Sequence, residues 1–375
     1  MGAELLQSPG QRWFGALWEN DNVVQCLHQN TISSWKTLGC GPTLVMKHKS
    51  ITLHDVAREA GVSLITASRA LGNPGRVSAP TVARVKAAAA AVGYVPNLLA
   101  GGLKSRRSRM VAALVPIISV QQFLPTIEAL TAELDQEGYQ LLLGQTGYDR
   151  SREADLLNTM VGRRVDGIVM AGLMSDTPAA ALVRSAGIPV VETWDITDCP
   201  FDMLVGFSHL AVGRAVADYF LSKGWNRVGV ATGDDQRASV RREGFLERMR
   251  HEVPVALVPA PSSVASGRRA CAELLAKDPA LRAIFCSADA LAEGVLTEAR
   301  VRGLRVPEDL AVCGFGGTGF SGHISPTLTT VHVDGYRIGQ EAGRILLARC
   351  RGEIRSQRSI DVGFHIIERE STAGR

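Results

Sequence analysis

Two patterns of apolar and polar positions divide this chain. Over residues 51–93 the apolar residues recur at helical spacing in three short blocks. Leu53, Val56, Ala57 and Ala60 share one face of LHDVAREA, with Thr52 as its N-cap. Gly61-Val62 makes a turn, and Ser63 caps a second helix, LITASRAL, closed by Gly72-Asn73-Pro74-Gly75. Ser78 caps a third, APTVARVKAAAAAV, with Pro80 in its first turn and Gly93 at its end.

From Met110 the pattern changes. Ten short apolar runs, from MVAALVPI to LTTVHV, alternate with helix-period stretches such as LPTIEALTAELDQEG and LAVGRAVADYFLSKG. Repeated βα units give parallel sheets covered by helices on both faces. Ten strands are many for one open sheet, so two α/β lobes with a cleft between them are expected. Residues 1–50 show neither period; they are read as a poorly ordered N-terminal extension, with Met46 a candidate start.

Composition bounds the partners. The net charge is +4, but eleven Lys/Arg against Asp55 and Glu59 give residues 46–109 a charge of +9, leaving −5 for the rest. A basic module on a mildly acidic body points to a polyanion for the module alone. No run of about 18 apolar residues is present, and the N-terminus lacks a signal-peptide pattern, so a cytoplasmic location without membrane contact is expected. The seven cysteines are unclustered, which suits reduced thiols and neither disulfides nor a zinc site. Gly314, Gly316 and Gly319 match a dinucleotide fingerprint with Asp334 downstream, but a strand-like run follows where a helix should open. No catalytic constellation is found, so no enzyme, cofactor or metal is expected; His209 in FSHL reads as a helix start.

Two helices about a glycine-containing turn form a helix-turn-helix, whose second helix can enter the major groove. Its outer face presents Leu64, Ile65, Ser68 and Arg69. Arg69 can donate two hydrogen bonds to guanine, and Leu64 and Ile65 can meet thymine methyls.

The run TLHDVAREAGVS, then SRAL, VSAPT and GYVPNLLAGGLKS, resembles the lactose/galactose repressor (LacI/GalR) family in order and spacing. The resemblance runs over about residues 51–370. It implies a helix-turn-helix headpiece (51–95), a hinge helix or linker (96–109) and a two-lobed effector-binding and dimerisation domain like periplasmic (type I) sugar-binding proteins (110–375). It further implies DNA contact by Thr52, Ser63, Leu64, Ile65, Thr66, Ser68, Arg69, Asn73, Val77, Ser78 and Tyr94. In the hinge it implies contact by Asn97, Ala100, Leu103 and Lys104, with Leu103 wedged between base steps. The partners implied are a near-palindromic double-stranded operator, a second copy of the chain and a small effector. In the cleft it assigns the effector to Trp194, Asp195, Arg241, Ala288, Asp289 and Gly316.

One departure bears on the effector. Many family members carry two acids where this chain has Gly316 and Gly317. Losing that negative charge suits an anion. VETWD, DMLVGF and VHVDGYRIGQEA also resemble the gluconate-repressor branch, so gluconate or a related sugar acid is expected. A neutral or phosphorylated sugar, activation or corepression, and a sugar-binding protein without DNA function stay open on sequence. The end of the chain, without leucine heptads, favours a homodimer.

Overall fold

The computed structural model describes residues 51–95, 107–147, 149–353 and 358–373. The expected N-terminal extension and the hinge residues Asn97, Ala100, Leu103 and Lys104 lie outside them. The chain divides into two units, one through Pro96 and one from Asn97.

The first unit is three helices: α1 (Leu53–Glu59), α2 (Leu64–Gly72) and α3 (Ala79–Val92). Thr52 starts α1; its backbone N–H and hydroxyl both donate to Asp55 Oδ2 (2.9 and 2.8 Å). Gly61, at φ +61°, turns the chain toward Ser63, whose hydroxyl accepts from the Thr66 backbone N–H at 3.2 Å. Val56, Ala57, Ala60, Ala67, Ala70, Val85, Ala88 and Ala89 form the core. Alanines at these contacts let three short helices approach closely.

The second unit holds two six-stranded sheets. One has the order β11-β5-β4-β3-β1-β2, built from β1 (Met110–Val115), β2 (Gln140–Gln145), β3 (Gly167–Ala171), β4 (Val190–Thr193), β5 (Met203–Gly206) and β11 (Ser359–Asp361). The other has the order β12-β10-β9-β8-β6-β7. It is built from β6 (Val228–Gly233), β7 (Val255–Val258), β8 (Ala283–Cys286), β9 (Ala311–Gly316), β10 (Thr329–His332) and β12 (His365–Ile367). Only β12 runs antiparallel to its neighbour. Each sheet carries one strand beyond the ten expected, because residues 359–361 and 365–367 are three-residue, half-exposed segments without a full apolar period.

Both sheets share one doubly wound order, in which ligands bind beyond the carboxyl ends of the strands. Helices α4 (Leu124–Gln136), α5 (Arg150–Gly162) and α6 (Pro178–Ser185) follow strands of the first lobe. Helices α7 (His209–Ser222), α8 (Gln236–Arg248), α9 (Val264–Lys277) and α10 (Asp289–Val301) belong to the second. Helix α11 (Gly335–Cys350) returns to pack on α4, and the four-residue α12 (Glu370–Ala373) lies against β9. The chain crosses between lobes three times, at residues 207–208, 333–334 and 362–364. One apolar cluster is continuous across those crossings, running from Val111 and Phe123 through Trp194, Phe207 and Phe315 to Phe285. No helix among the described residues is long and apolar enough to span a membrane.

Candidate functional site

The outer face of α2 is built for contact. Ala67 and Ala70 face the core, which turns Leu64, Ile65, Ser68 and Arg69 outward. Ile65 is 63% exposed, an unusual cost for a β-branched apolar side chain unless something covers it. Arg69 is exposed, and its guanidinium has no partner among the described residues. Thr52, Ser63, Asn73 and Ser78 are also exposed, at helix ends. Three expected contacts are placed differently. Val77 and Tyr94 pack against the headpiece core, and Thr66 is half-buried with its hydroxyl on Ser63 Oγ (2.8 Å).

A cavity of about 530 Å³ lies between the lobes. Its walls are the loops beyond β1 (Ser119–Gln122), β4 (Trp194), β6 (Asp235, Arg237, Arg241), β7 (Pro261, Ser262, Ser263), β8 (Ser287–Ala290) and β9 (Phe315, Thr318). Asp235 caps α8 by accepting from the Ala238 N–H at 3.0 Å. Arg237, two residues on, and Arg241, one helical turn beyond it, line the cavity. Helix α8 can sit close enough only because it meets α7 through glycines. A methyl at Gly244 would run into the Leu210 carbonyl, and one at Gly213 into the Arg241 carbonyl.

Arg241 is buried. Its Nη2 donates to the Ser287 carbonyl at 2.9 Å, its Nη1 lies 2.9 Å from His209 Nδ1, and its guanidinium carbon stands 4.0 Å over the centre of the Phe315 ring. Arg237 donates to the Ala171 carbonyl of the other lobe at 3.3 Å. Burial, Arg241 and Arg237 hold the His209 imidazole well below the ordinary histidine range. His209 is indeed the first residue of α7, behind the cap Ser208, but it also forms part of the cavity wall.

Trp194 lines the cavity with almost no exposed surface, so it packs and does not offer a face; its indole donates to Thr126 Oγ1 at 3.0 Å. Ala288 lines the cavity as expected. Asp289 lines it too, but its carboxylate is engaged internally. It accepts from the Thr318 N–H and hydroxyl (both 2.8 Å) and the Thr330 hydroxyl (2.6 Å), pinning the loop after β9. Burial raises its pKa against those bonds. Asp195 is not among the lining residues; burial raises its carboxyl while Arg237 and Arg241 pull it down, and it accepts from the Ile196 N–H.

Gly316, expected as an effector contact, is not among the lining residues; its missing Cβ is 3.3 Å from Oε1 of Gln122, which is. Gly316 (φ +129°) and Gly317 (φ +63°) both adopt backbone suited to glycine, and a side chain at Gly317 would run into His332. Acids at these two positions do not fit here. Among the lining residues that the sequence does not single out as ligand contacts are Arg237, His209, Gln122, Ser263 and Thr318. Only Arg237 had a signal, its place one helical turn before Arg241.

Residues 52–97 match the model of bacterial regulatory proteins of the lacI family, and residues 217–372 that of a periplasmic binding protein-like domain. The chain is 36% identical over 330 residues to the HTH-type transcriptional regulator GntR of Pseudomonas aeruginosa, covering 86% of this chain and 95% of that one. It is 31% identical to GntR of Escherichia coli, covering 85% and 98%. A crystal structure of a LacI-family transcriptional regulator from Silicibacter pomeroyi superposes with a TM-score of 0.82 at 33% identity, over 87% of this chain and all of that one. These relatives are transcriptional regulators and not enzymes.

Proposed function

Because this chain belongs to the LacI family of bacterial transcriptional regulators, we propose that it is an operator-binding repressor released by a sugar acid, gluconate or a close relative, seated between the lobes. In this reading residues 51–95 read DNA, 96–109 join the units, and 110–375 sense the ligand and pair two copies. Two headpieces then meet a near-palindromic site. Leu64, Ile65, Ser68 and Arg69 reach base edges. Thr52, Ser63, Asn73 and Ser78 lie where backbone phosphates run. Leu103 enters the minor groove, and Asn97, Ala100 and Lys104 contact the DNA as well.

The observation that carries the ligand class is the pairing of Arg241 and Arg237 on one cavity wall with glycines at 316 and 317. A guanidinium holds a carboxylate through two parallel hydrogen bonds, and the backbone of the β9 loop leaves no room for acids at 316 and 317. Of the carboxylates that do line the cavity, Asp235 caps α8, Asp289 holds Thr318 and Thr330, and Glu293 stands one helical turn further along α10. Ser263, Gln122 and Thr318 supply hydroxyl and amide groups for a polyol. The effector and the operator must weaken each other equally, typically by about 1–3 kcal/mol.

The test is an operator gel shift titrated with gluconate, ketogluconate, phosphogluconate and glucose. Release by the acids and not by glucose is expected, and Arg241→Ala should hold the operator while ignoring all four. Release by glucose alone would overturn the sugar-acid reading.

A further inference from the structure

A chain of hydrogen bonds leaves the cavity through its floor. From Arg241, whose Nη2 donates to the Ser287 carbonyl, it passes to His209 Nδ1 (2.9 Å). His209 Nε2 lies 2.9 Å from the Trp194 carbonyl oxygen. The Trp194 indole N–H meets Thr126 Oγ1 (3.0 Å), and that hydroxyl meets the Gly335 carbonyl (2.8 Å). Every residue on this path is buried. It begins in the second lobe, passes the first crossover at His209, enters the first lobe, and ends where the second crossover opens α11.

Chemistry leaves each proton one position. Carbonyl oxygens only accept, and guanidinium and indole N–H groups only donate. His209 therefore carries its proton on Nε2 and accepts on Nδ1, while the Thr126 proton points at Gly335. No member can reverse its role. If a bound anion draws the Arg241 guanidinium toward itself, the imidazole must follow or lose its partner. Trp194, next along the path, is already held at φ +64°, a conformation that a bulky residue rarely adopts. Its ring edge abuts α11, because a methyl at Gly335 would stand 3.1 Å from the indole Cζ2.

We propose that His209 is a positioning residue that links occupancy at Arg241 to the interlobe crossovers, through Trp194 and Thr126. The inference rests on the cleft being the effector site. It makes the first lobe, which continues into the linker, aware of a ligand gripped mainly by the second.

Three variants separate the links. His209→Asn places an amide oxygen near the Nδ1 position and leaves the Trp194 carbonyl without its donor. His209→Gln places an amide nitrogen near the Nε2 position and removes the acceptor for Arg241. Thr126→Val breaks the far end without entering the cavity. For each, gluconate affinity is measured by calorimetry and operator affinity with and without gluconate by gel shift. Thr126→Val should bind gluconate within about three-fold of the parent, yet its operator affinity should change less than about two-fold on adding ligand, against the roughly 5–150-fold typical of allosteric coupling. His209→Asn should lose more coupling than ligand affinity, and His209→Gln more ligand affinity than coupling. Thr126→Val that releases the operator like the parent overturns the proposal, as do two His209 variants that behave alike. Nitrogen NMR of histidine-labelled protein checks the central link without ligand. The ring signal lost in His209→Asn should report a neutral imidazole protonated on Nε2. A charged ring, or a proton on Nδ1, overturns the proposal. Gluconate failing to bind the parent protein would instead overturn the effector reading and leave the NMR result standing.

Discussion

Arg69 and Arg241 use one side chain in opposite settings. Arg69 stands in water on α2, where its five donors wait for a partner; Arg241 is buried with its donors already aimed. Arg69→Ala should cost about 1–3 kcal/mol of discrimination at one base pair, roughly 5–150-fold, in a gel shift comparing the operator with a single-substituted site. Gluconate affinity should not change. His209 yields a prediction in pH. Its pKa in the folded chain lies below the 6.5 of an unfolded histidine. As pH falls through that value the unfolded chain takes up a proton that the folded chain refuses. Stability is therefore complete above it and lost below, by at most about 1.4 kcal/mol per pH unit. Urea melts of the parent and His209→Gln across this range should show a shallower dependence in the variant. The raised carboxyls of Glu192 and Asp289 act in the opposite sense, but they are common to both proteins.

Elements place these residues through their ends and their glycines. The headpiece helices were legible because their signals are local: Thr52, Ser63 and Ser78 before the apolar periods, Gly93 (φ +71°) after them. Strands β11 and β12 were not, because three half-exposed residues carry no period; each exists through the partner strand beside it. The cavity was legible in part. Arg241 stood out by its spacing from Gly244, a residue whose need is steric. Gln122, Ser263 and Thr318 come from three separate loops, and only the folded sheets bring them together. Asp195 and Asp289 look like ligand contacts in the sequence, yet Asp289 engages both carboxylate oxygens with Thr318 and Thr330, and Asp195, which accepts from the Ile196 N–H, is not among the lining residues. Gly244→Ala should force α8 away from Leu210, lower stability by about 1–3 kcal/mol in thermal melts, and reduce gluconate affinity with it. A variant that matches the parent in both would remove the glycine contact as the device that seats Arg241.

At the scale of the molecule, separate cores imply separate stabilities. The headpiece has its own small alanine-rich core; the body has one apolar cluster inside each lobe and a larger one that spans both and ties them together. Scanning calorimetry should show the body unfolding in one transition. Gluconate at about a hundred times its dissociation constant should stabilise that transition by about 2.7 kcal/mol and leave the headpiece where it was. Two separate lobe transitions would contradict a shared core. The charge division seen in the sequence fits this separation, with +9 over 46–109 and −5 elsewhere.

The three crossovers also settle how the chain can be taken apart. The second lobe is written almost entirely in one uninterrupted stretch, about residues 208–333, and that stretch holds His209, Arg237, Arg241, Ser263, Ser287 and Asp289. The first lobe is written on either side of it and brings Gln122 and Trp194 to the shared wall. In genetic terms the listening half is a cassette, bounded by two short seams. Exchanging that cassette between relatives would change which molecule is heard while keeping which DNA is addressed, provided that Trp194 and Phe207 still find their partners across the seam.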